Sequence, residues 1–401
     1  MKKIFLLIII LLITGCGYDK YKKPDDVTLE IKNIKTEVYS ELKISDLIDK
    51  KNISINNKDD LLDTDSLGVK NATIRYTYDK RDYLMDVSYT VVDTTSPTIL
   101  DINNYYYAYE GDITSENINF CDSVISIDNY DRNPKCNVEG TYDINKADEY
   151  ELKYIIKDNS NNIKEEKLLF EVLPPIEEED NEDDIDDDIE EDNSILFSDI
   201  YQKYKNNNTM IGIDVSRWQE DVDFEKVKKA GAEFVIIRMA VSNGPDDEIG
   251  LDSRFEENIK KAKKAGLKVG VYVYTCASSK EEVKRHAKFV RKKLNKTKLD
   301  LPIAYDFEDW SEMNKYKLNI NDLNNLVDEF YNIVKKDGYD VMLYGSKFYL
   351  DNVWYNNYPI WLAHYTDETN YKGEYIMWQM TNNGKIDGIN NNVDINIYYK
   401  K

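Results

Sequence analysis

Two rhythms of apolar and polar positions divide the chain. Over 72–78 and 85–92 the two classes alternate one for one, the period of a half-buried strand. The polar stretch Asp79-Lys80-Arg81-Asp82 separates them, so the pair predicts a hairpin. The layout returns at 149–156 and 166–172 around Asp158-Asn159-Ser160-Asn161-Asn162, an offset of roughly 78 residues. Each pair predicts one small all-β sandwich, the first over 28–95 and the second over 96–173. From about residue 209 the rhythm changes. Short apolar runs at 211–215, 234–239, 269–274, 302–306, 341–344, 360–363, 377–379 and 393–395 read as strands. Amphipathic stretches at 224–230, 253–265, 280–294 and 321–336 read as helices, two of them closed by Gly231 and Gly266 as C-caps. Strands alternating with helices imply parallel βαβ units. Eight strands over 208–401 predict a compact, irregular, TIM-like β/α barrel, poor in helices in its last third. The fold class is therefore multidomain, two β-sandwiches followed by an α/β barrel.

Other segments fit neither rhythm. Lys2-Lys3 precede an unbroken apolar run over 4–13, then Thr14-Gly15-Cys16. The run is too short to span a bilayer, which takes ~20 apolar residues, and fits a secretory signal. Leu12-Ile13-Thr14-Gly15-Cys16 resembles a bacterial lipobox, so 1–16 is expected to be a lipoprotein signal with Cys16 as the lipid-bearing residue. Two acyl chains would anchor the protein stably at a membrane. Residues 17–27 read as a polar tether. Pro174-Pro175 close the second sandwich and begin a linker over 174–195.

Charge sharpens this picture. The 401 residues carry a formal net charge of −23. Thirteen acidic residues and no basic one lie between 177 and 192, so the rest of the chain sums to −23 + 13 = −10. Such a run repels itself, stays solvated and extends. Nucleic acid is excluded as a partner, since no basic surplus exists to neutralise phosphates. An export signal implies an oxidising compartment, in which Cys121 and Cys136 could close a small loop. Cys276 follows an apolar strand and reads as a buried, inert thiol. The two histidines are far apart, which argues against a metal site; His286 is expected to face solvent and His364 to line a cleft or make a structural hydrogen bond. No cofactor is expected.

The candidate chemistry sits where apolar strands end. Leu301-Pro302-Ile303-Ala304-Tyr305-Asp306-Phe307-Glu308 closes on two carboxylates at i and i+2, which face the same way on a strand. Asp214 ends another strand and Asp394 lies in the last one. Barrel enzymes keep their chemistry at such strand ends, and paired acids are the working groups of glycoside hydrolysis.

Six ordered motifs carry a resemblance over 208–398. They are Ile211-Gly212-Ile213-Asp214-Val215-Ser216-Arg217-Trp218-Gln219, Phe234-Val235-Ile236-Ile237-Arg238, the stretch 255–274, the acidic strand 302–308, Trp361-Leu362-Ala363-His364-Tyr365 with Met377-Trp378-Gln379, and Asp387-Gly388 through Asp394-Ile395-Asn396. Together they resemble the glycoside hydrolase family 25 lysozymes. The resemblance implies a β/α barrel that cuts the β-1,4 bond between N-acetylmuramic acid and N-acetylglucosamine of peptidoglycan with retention. It implies Glu308 as general acid, Asp306 assisting attack by the substrate's acetamido group, and Asp214 and Asp394 as flanking carboxylates. Tyr272, Tyr274, Tyr344, Trp361, Tyr365 and Trp378 lie on or just after strands and are candidates to stack on sugars; Trp218 is expected to fill the barrel. Thr275-Cys276-Ala277-Ser278-Ser279 departs from the family, where many relatives carry an aromatic. A second resemblance is looser. Asp93-Thr94-Thr95-Ser96-Pro97, Glu110-Gly111-Asp112 and Lys157-Asp158-Asn159-Ser160 resemble bacterial surface immunoglobulin-like repeats, which implies spacers.

The reading is a membrane-anchored muramidase on the extracytoplasmic face, acting on wall glycan. A wall-binding protein on an inactive hydrolase fold is its rival, and a structural spacer or assembly subunit of a secretion or conjugation apparatus could coexist with enzyme activity.

Overall fold

The computed structural model describes residues 22–112, 118–175, 194–244 and 248–400. Cys16 and the acidic run at 177–192 lie outside the described residues. The chain divides into two compact units, residues 1–94 and 95–401.

In the first unit the predicted hairpin joins Gly68–Tyr78 to Arg81–Val92, which pair antiparallel from Gly68↔Val91 to Tyr78↔Arg81. Only Asp79 and Lys80 lie in the turn, both at positive φ (46° and 60°), as a two-residue type I′ hairpin turn requires. Lys35–Glu37 adds a parallel strand, and Leu29–Ile31 pairs with Ile48–Lys51. Ile74, Tyr76, Tyr89 and Val91 alternate into the core.

The second unit begins with an all-β region. Asp148–Lys157 and Ile163–Leu173 form its hairpin, flanked by Lys135–Glu139 and Tyr105–Tyr109 in a four-stranded sheet. Thr98–Asp101 pairs with Ile125–Ile127. Cys121 and Cys136 are disulfide-bonded, Cα atoms 5.8 Å apart.

The rest of this unit is a closed barrel. Thr209–Val215, Phe234–Val241, Lys268–Tyr274, Ile303–Asp306, Val341–Ser346, Ile360–Ala363 and Met377–Lys385 run parallel, each beside the next. Val393–Tyr399 closes the ring, antiparallel to both the first and the seventh strand. Helices Phe224–Lys229, Phe255–Lys264, Lys280–Leu294, Ile320–Val334 and Lys347–Asn352 cover it. Gly231 and Gly266 follow two helix ends at φ of 112° and 76°. The last three strands have no helix between them.

Strand parity explains why the runs look continuously apolar: both faces are buried. Odd positions such as Ile211, Ile213, Val235, Ile237, Val269, Val271, Ile303 and Leu343 pack outward with the helices. Even positions such as Met210, Phe234, Ile236, Ala304 and Met342, and on the sixth and seventh strands the odd positions Trp361 and Met377, fill the interior. Gly212 is small because a Cβ there would stand 2.4–2.6 Å from Phe234.

Two features go beyond the apolar pattern. Ile195–Leu196 pairs with the seventh strand and leads into helix Phe197–Tyr204, so the barrel's structure starts ahead of residue 208. The 95–173 region is also bound to the barrel. Ile127 is buried in the barrel's outer core, with Leu100 and Ile125 packed against it. Asn314 donates from Nδ2 to the Val124 carbonyl (2.7 Å) and accepts at Oδ1 from Ser126 N–H (3.2 Å). Ile320 N–H donates to the Asp128 carbonyl (2.8 Å), and Arg132 grips Asp322 through two bonds of 2.6 and 2.9 Å.

Candidate active site

The inward parity that fills the barrel with Met and Phe brings polar residues to its C-terminal mouth. On the first strand the inward positions are 210, 212 and 214; on the fourth they are 304 and 306, and the same alternation carries on to 308. Asp214, Asp306, Glu308 and Asp394 thus share one end of one barrel. Register agrees: Asp214 faces Asp394 across the closing pair, and Asp306 lies between Tyr274 and Tyr344.

Each acid has a different setting. Asp214 is buried, and its Oδ2 accepts from Asn396 Nδ2 (2.7 Å) and Gln379 Nε2 (3.0 Å). Burial pushes its carboxyl up to about 6 against the pull of those two donors. Asp306 is buried too, and its Oδ1 hydrogen-bonds to no protein group. Burial, then the charges of Glu308 and Asp214, hold its carboxyl well above the ordinary range, with Arg238 pulling the other way. Glu308 is exposed on the open side of the mouth but crowded by protein. Desolvation first and Asp214 second raise it, opposed by the Tyr344 hydroxyl. Asp394 is half-buried and raised by burial and by Asp214. Four carboxylates that each feel another's charge cannot all ionise together near neutrality.

A polar layer beneath them fixes Asp214. Gln379 accepts at Oε1 from the hydroxyls of Tyr344 (2.8 Å) and Tyr365 (3.1 Å) and donates to Asp214. Trp361 Nε1 donates to Asn396 Oδ1 (2.8 Å), which leaves the Asn396 amide N–H for Asp214. Sequence reasoning named neither Gln379 nor Asn396 as a site residue, although both sit at inward positions of strands already singled out. Arg238 was also missed. It is buried and ion-paired with Asp252 (2.7 Å) while its charge reaches Asp306.

A cleft of about 520 Å³ opens beside Glu308, lined by Tyr344, Lys347, Phe348, His364 and Tyr365 among others. Of the expected sugar-stacking aromatics, Tyr365 is 52 % exposed, and Tyr272 and Tyr274 are half-buried. Tyr344 lines the cleft with little exposed surface. Trp361 and Trp378 correct the expectation. They are 2 % and 3 % exposed, and the Trp378 indole N–H is spent on the His364 carbonyl (2.8 Å). Both are wall material. Trp218 errs in the other direction. It is 64 % exposed because it stands in the turn Arg217–Gln219 beyond the strand end, with the Arg217 guanidinium 4.8 Å from its ring centroid. His286 is buried, not solvent-facing; Thr275 Oγ1 lies 2.9 Å from its Nδ1, and burial lowers its pKa to about 4. His364 lines the cleft and also bonds Thr369. Cys276 is buried, its thiol directed at the Ser242 carbonyl.

Residues 213–389 match the model of the glycosyl hydrolases family 25. The Escherichia coli K12 protein YegX is 31 % identical over 196 residues, spanning 47 % of this chain and 70 % of that protein. The chain belongs to glycosyl hydrolase family 25. As a member of that family it is a glycoside hydrolase. The autolytic lysozyme of Clostridium acetobutylicum is 28 % identical over 190 residues, 46 % of this chain and 55 % of that protein. Among solved structures, a family 25 glycosyl hydrolase from Bacillus anthracis covers 49 % of this chain and 92 % of its own, at 21 % identity and a TM-score of 0.42. A bacterial lysozyme from Streptomyces coelicolor covers 48 % and 93 %, at 21 % identity and 0.40.

Proposed function

We propose that this family 25 enzyme is a 1,4-β-N-acetylmuramidase that cuts peptidoglycan between N-acetylmuramic acid and N-acetylglucosamine with retention. The observation that carries the reading is the ring of four carboxylates at one barrel mouth, of which Glu308 is the one open to solvent. A general acid must hold a proton near neutral pH and reach the leaving oxygen. Glu308 is placed for both, since desolvation and Asp214 shift its pKa upward, toward the protonated form, and it borders the cleft. Asp306, with Oδ1 bonded to no protein group, is available to the substrate's acetamido N–H and would orient that group for attack at the anomeric carbon. Water would then open the cyclic intermediate, with the Glu308 carboxylate taking the water's proton and so regaining the one it gave to the leaving oxygen. Asp214, pinned by Gln379 and Asn396 and ionised above about pH 6, supplies a negative field that favours a cationic sugar-ring transition state, while Asp394, raised to about 9, flanks it in the protonated form. Tyr274, Tyr272 and Tyr365 would stack on sugar faces. The name of the Clostridium relative, an autolytic lysozyme, agrees with this substrate.

The site would work outside the cell, held at the membrane through lipidated Cys16, with 28–95 and 96–173 as immunoglobulin-like modules between lipid and barrel. The test is Glu308→Gln in the full chain on a peptidoglycan suspension. Loss of general acid catalysis costs ~10²- to 10⁴-fold in turnover, while pull-down by insoluble peptidoglycan should persist. Wild-type turnover would remove Glu308 from the mechanism.

A further inference from the structure

The end of the barrel opposite the acids, where helices finish and strands begin, has its own groove of about 880 Å³. One wall is the end of helix Lys280–Leu294 and the turn after it; the other is the turn after helix Ile320–Val334. Lys292, Lys296, Lys298 and Lys336 line it, with Thr297 and Tyr339. Between 288 and 298 six of eleven residues are Lys or Arg and none is acidic, in a chain of net charge −23. The four lysines are exposed, and no ion pair holds any of them among the described residues. The nearby acids are engaged instead: Asp337 is held by Arg291 through bonds of 2.5 and 2.7 Å, and Asp300 accepts from Val269 N–H (3.1 Å). Asp340 is the remaining acid on these turns. Lys263 donates to the Lys298 carbonyl (2.6 Å), which brings the basic end of a third helix, Phe255–Lys264, to the same side.

Helix dipoles favour cations in a last turn, and that accounts for Lys292. Lys296 and Lys298 lie beyond the helix end and are not explained by it. Clustering unpaired like charges has a self-repulsion cost that a polyanion would relieve. We propose that this groove is a docking site for a linear polyanion with phosphodiester repeats, carried by the wall that the enzyme degrades. A concave groove takes a strand, whereas a flat bilayer would meet only its rims. Lysine ammonium groups suit phosphate as mobile point charges. The four acids at the other end of the barrel would keep such a polymer out of the cleft. The source of the polymer rests on the proposed function; the chemistry of the groove does not.

The experiment measures binding of the full chain to soluble poly(glycerol phosphate) at low and physiological salt. It compares wild type with the triple variant Lys292→Gln, Lys298→Gln, Lys336→Gln, glutamine being chosen so that no anion is placed at a helix C-terminus. The wild type should bind and weaken steeply as salt rises. The triple variant should bind at least ~10-fold more weakly, with unchanged thermal unfolding and unchanged hydrolysis of polymer-free peptidoglycan. Absence of wild-type binding, equal binding by the variant, or preference for phosphatidylglycerol vesicles over the polymer would each overturn the proposal. Failure of both proteins to hydrolyse polymer-free peptidoglycan would strike the proposed function alone.

Discussion

Asp214 shows the conflict that a buried catalytic-type acid sets up. Its folded pKa of about 6 stands above the ordinary 3.8, so the fold favours the protonated form. The contribution to stability is fully present below the ordinary value and is lost as pH rises through about 6. At neutral pH the charged form therefore costs on the order of 1–3 kcal/mol. Asp214→Asn should remove that cost, because one amide oxygen can still accept from both Gln379 and Asn396. Thermal unfolding should show the variant more stable than wild type near neutrality and indistinguishable from it in mild acid, with hydrolysis reduced. A variant less stable at neutral pH would mean that the carboxylate is held more favourably than its burial implies. At this scale Asp306, Glu308, Asp214 and Asp394 were legible as strand-end acids. Their support was not, because Gln379 and Asn396 are ordinary amides until the barrel closes and parity turns them inward. His286 was misread from its charged neighbours in sequence. The helix buries Val283, His286, Ala287, Val290 and Leu294, an i, i+3, i+4 stripe that places the imidazole inside.

The eight strands and four of the helices were legible at the scale of elements, because a two-face-buried strand is a short apolar run and little else in a folded chain is. The junction between the β region and the barrel was not legible, since Leu100, Ile125 and Ile127 read as ordinary strand residues and its polar members are an amide, backbone groups and the Arg132–Asp322 pair. Asn314 is its clearest member. Its side chain takes both roles of a paired strand residue beside Ile125–Ile127. It belongs to the short helix Met313–Tyr316, just after Trp310, and Trp310 packs against Phe307 (ring centroids 5.1 Å apart) between the two acids of the fourth strand. Asn314→Ala should leave the Val124 carbonyl and the Ser126 N–H without their partner and destabilise by ~1–3 kcal/mol. Hydrogen exchange should then rise at 124–128 and at 309–316 together. Faster exchange confined to one side would show that the two segments are not coupled through this residue.

The 95–401 unit gathers four carboxylates at one barrel mouth and binds an all-β region to the segment that follows Asp306 and Glu308. The Cys121–Cys136 bond belongs to that region. It closes a loop of 15 residues in sequence separation, which on loop entropy stabilises by ~3 kcal/mol. Replacing both cysteines by serine should lower the unfolding midpoint by that order while hydrolysis below the transition is unchanged. A midpoint equal to wild type would indicate that the all-β region gains nothing from the crosslink. The most direct measurement of the central claim is the identity of the new reducing ends. Purified peptidoglycan should be digested with the full chain, the products reduced with borohydride and read by mass spectrometry. The account predicts muramitol at every new end and none with Glu308→Gln. Glucosaminitol in its place would contradict it.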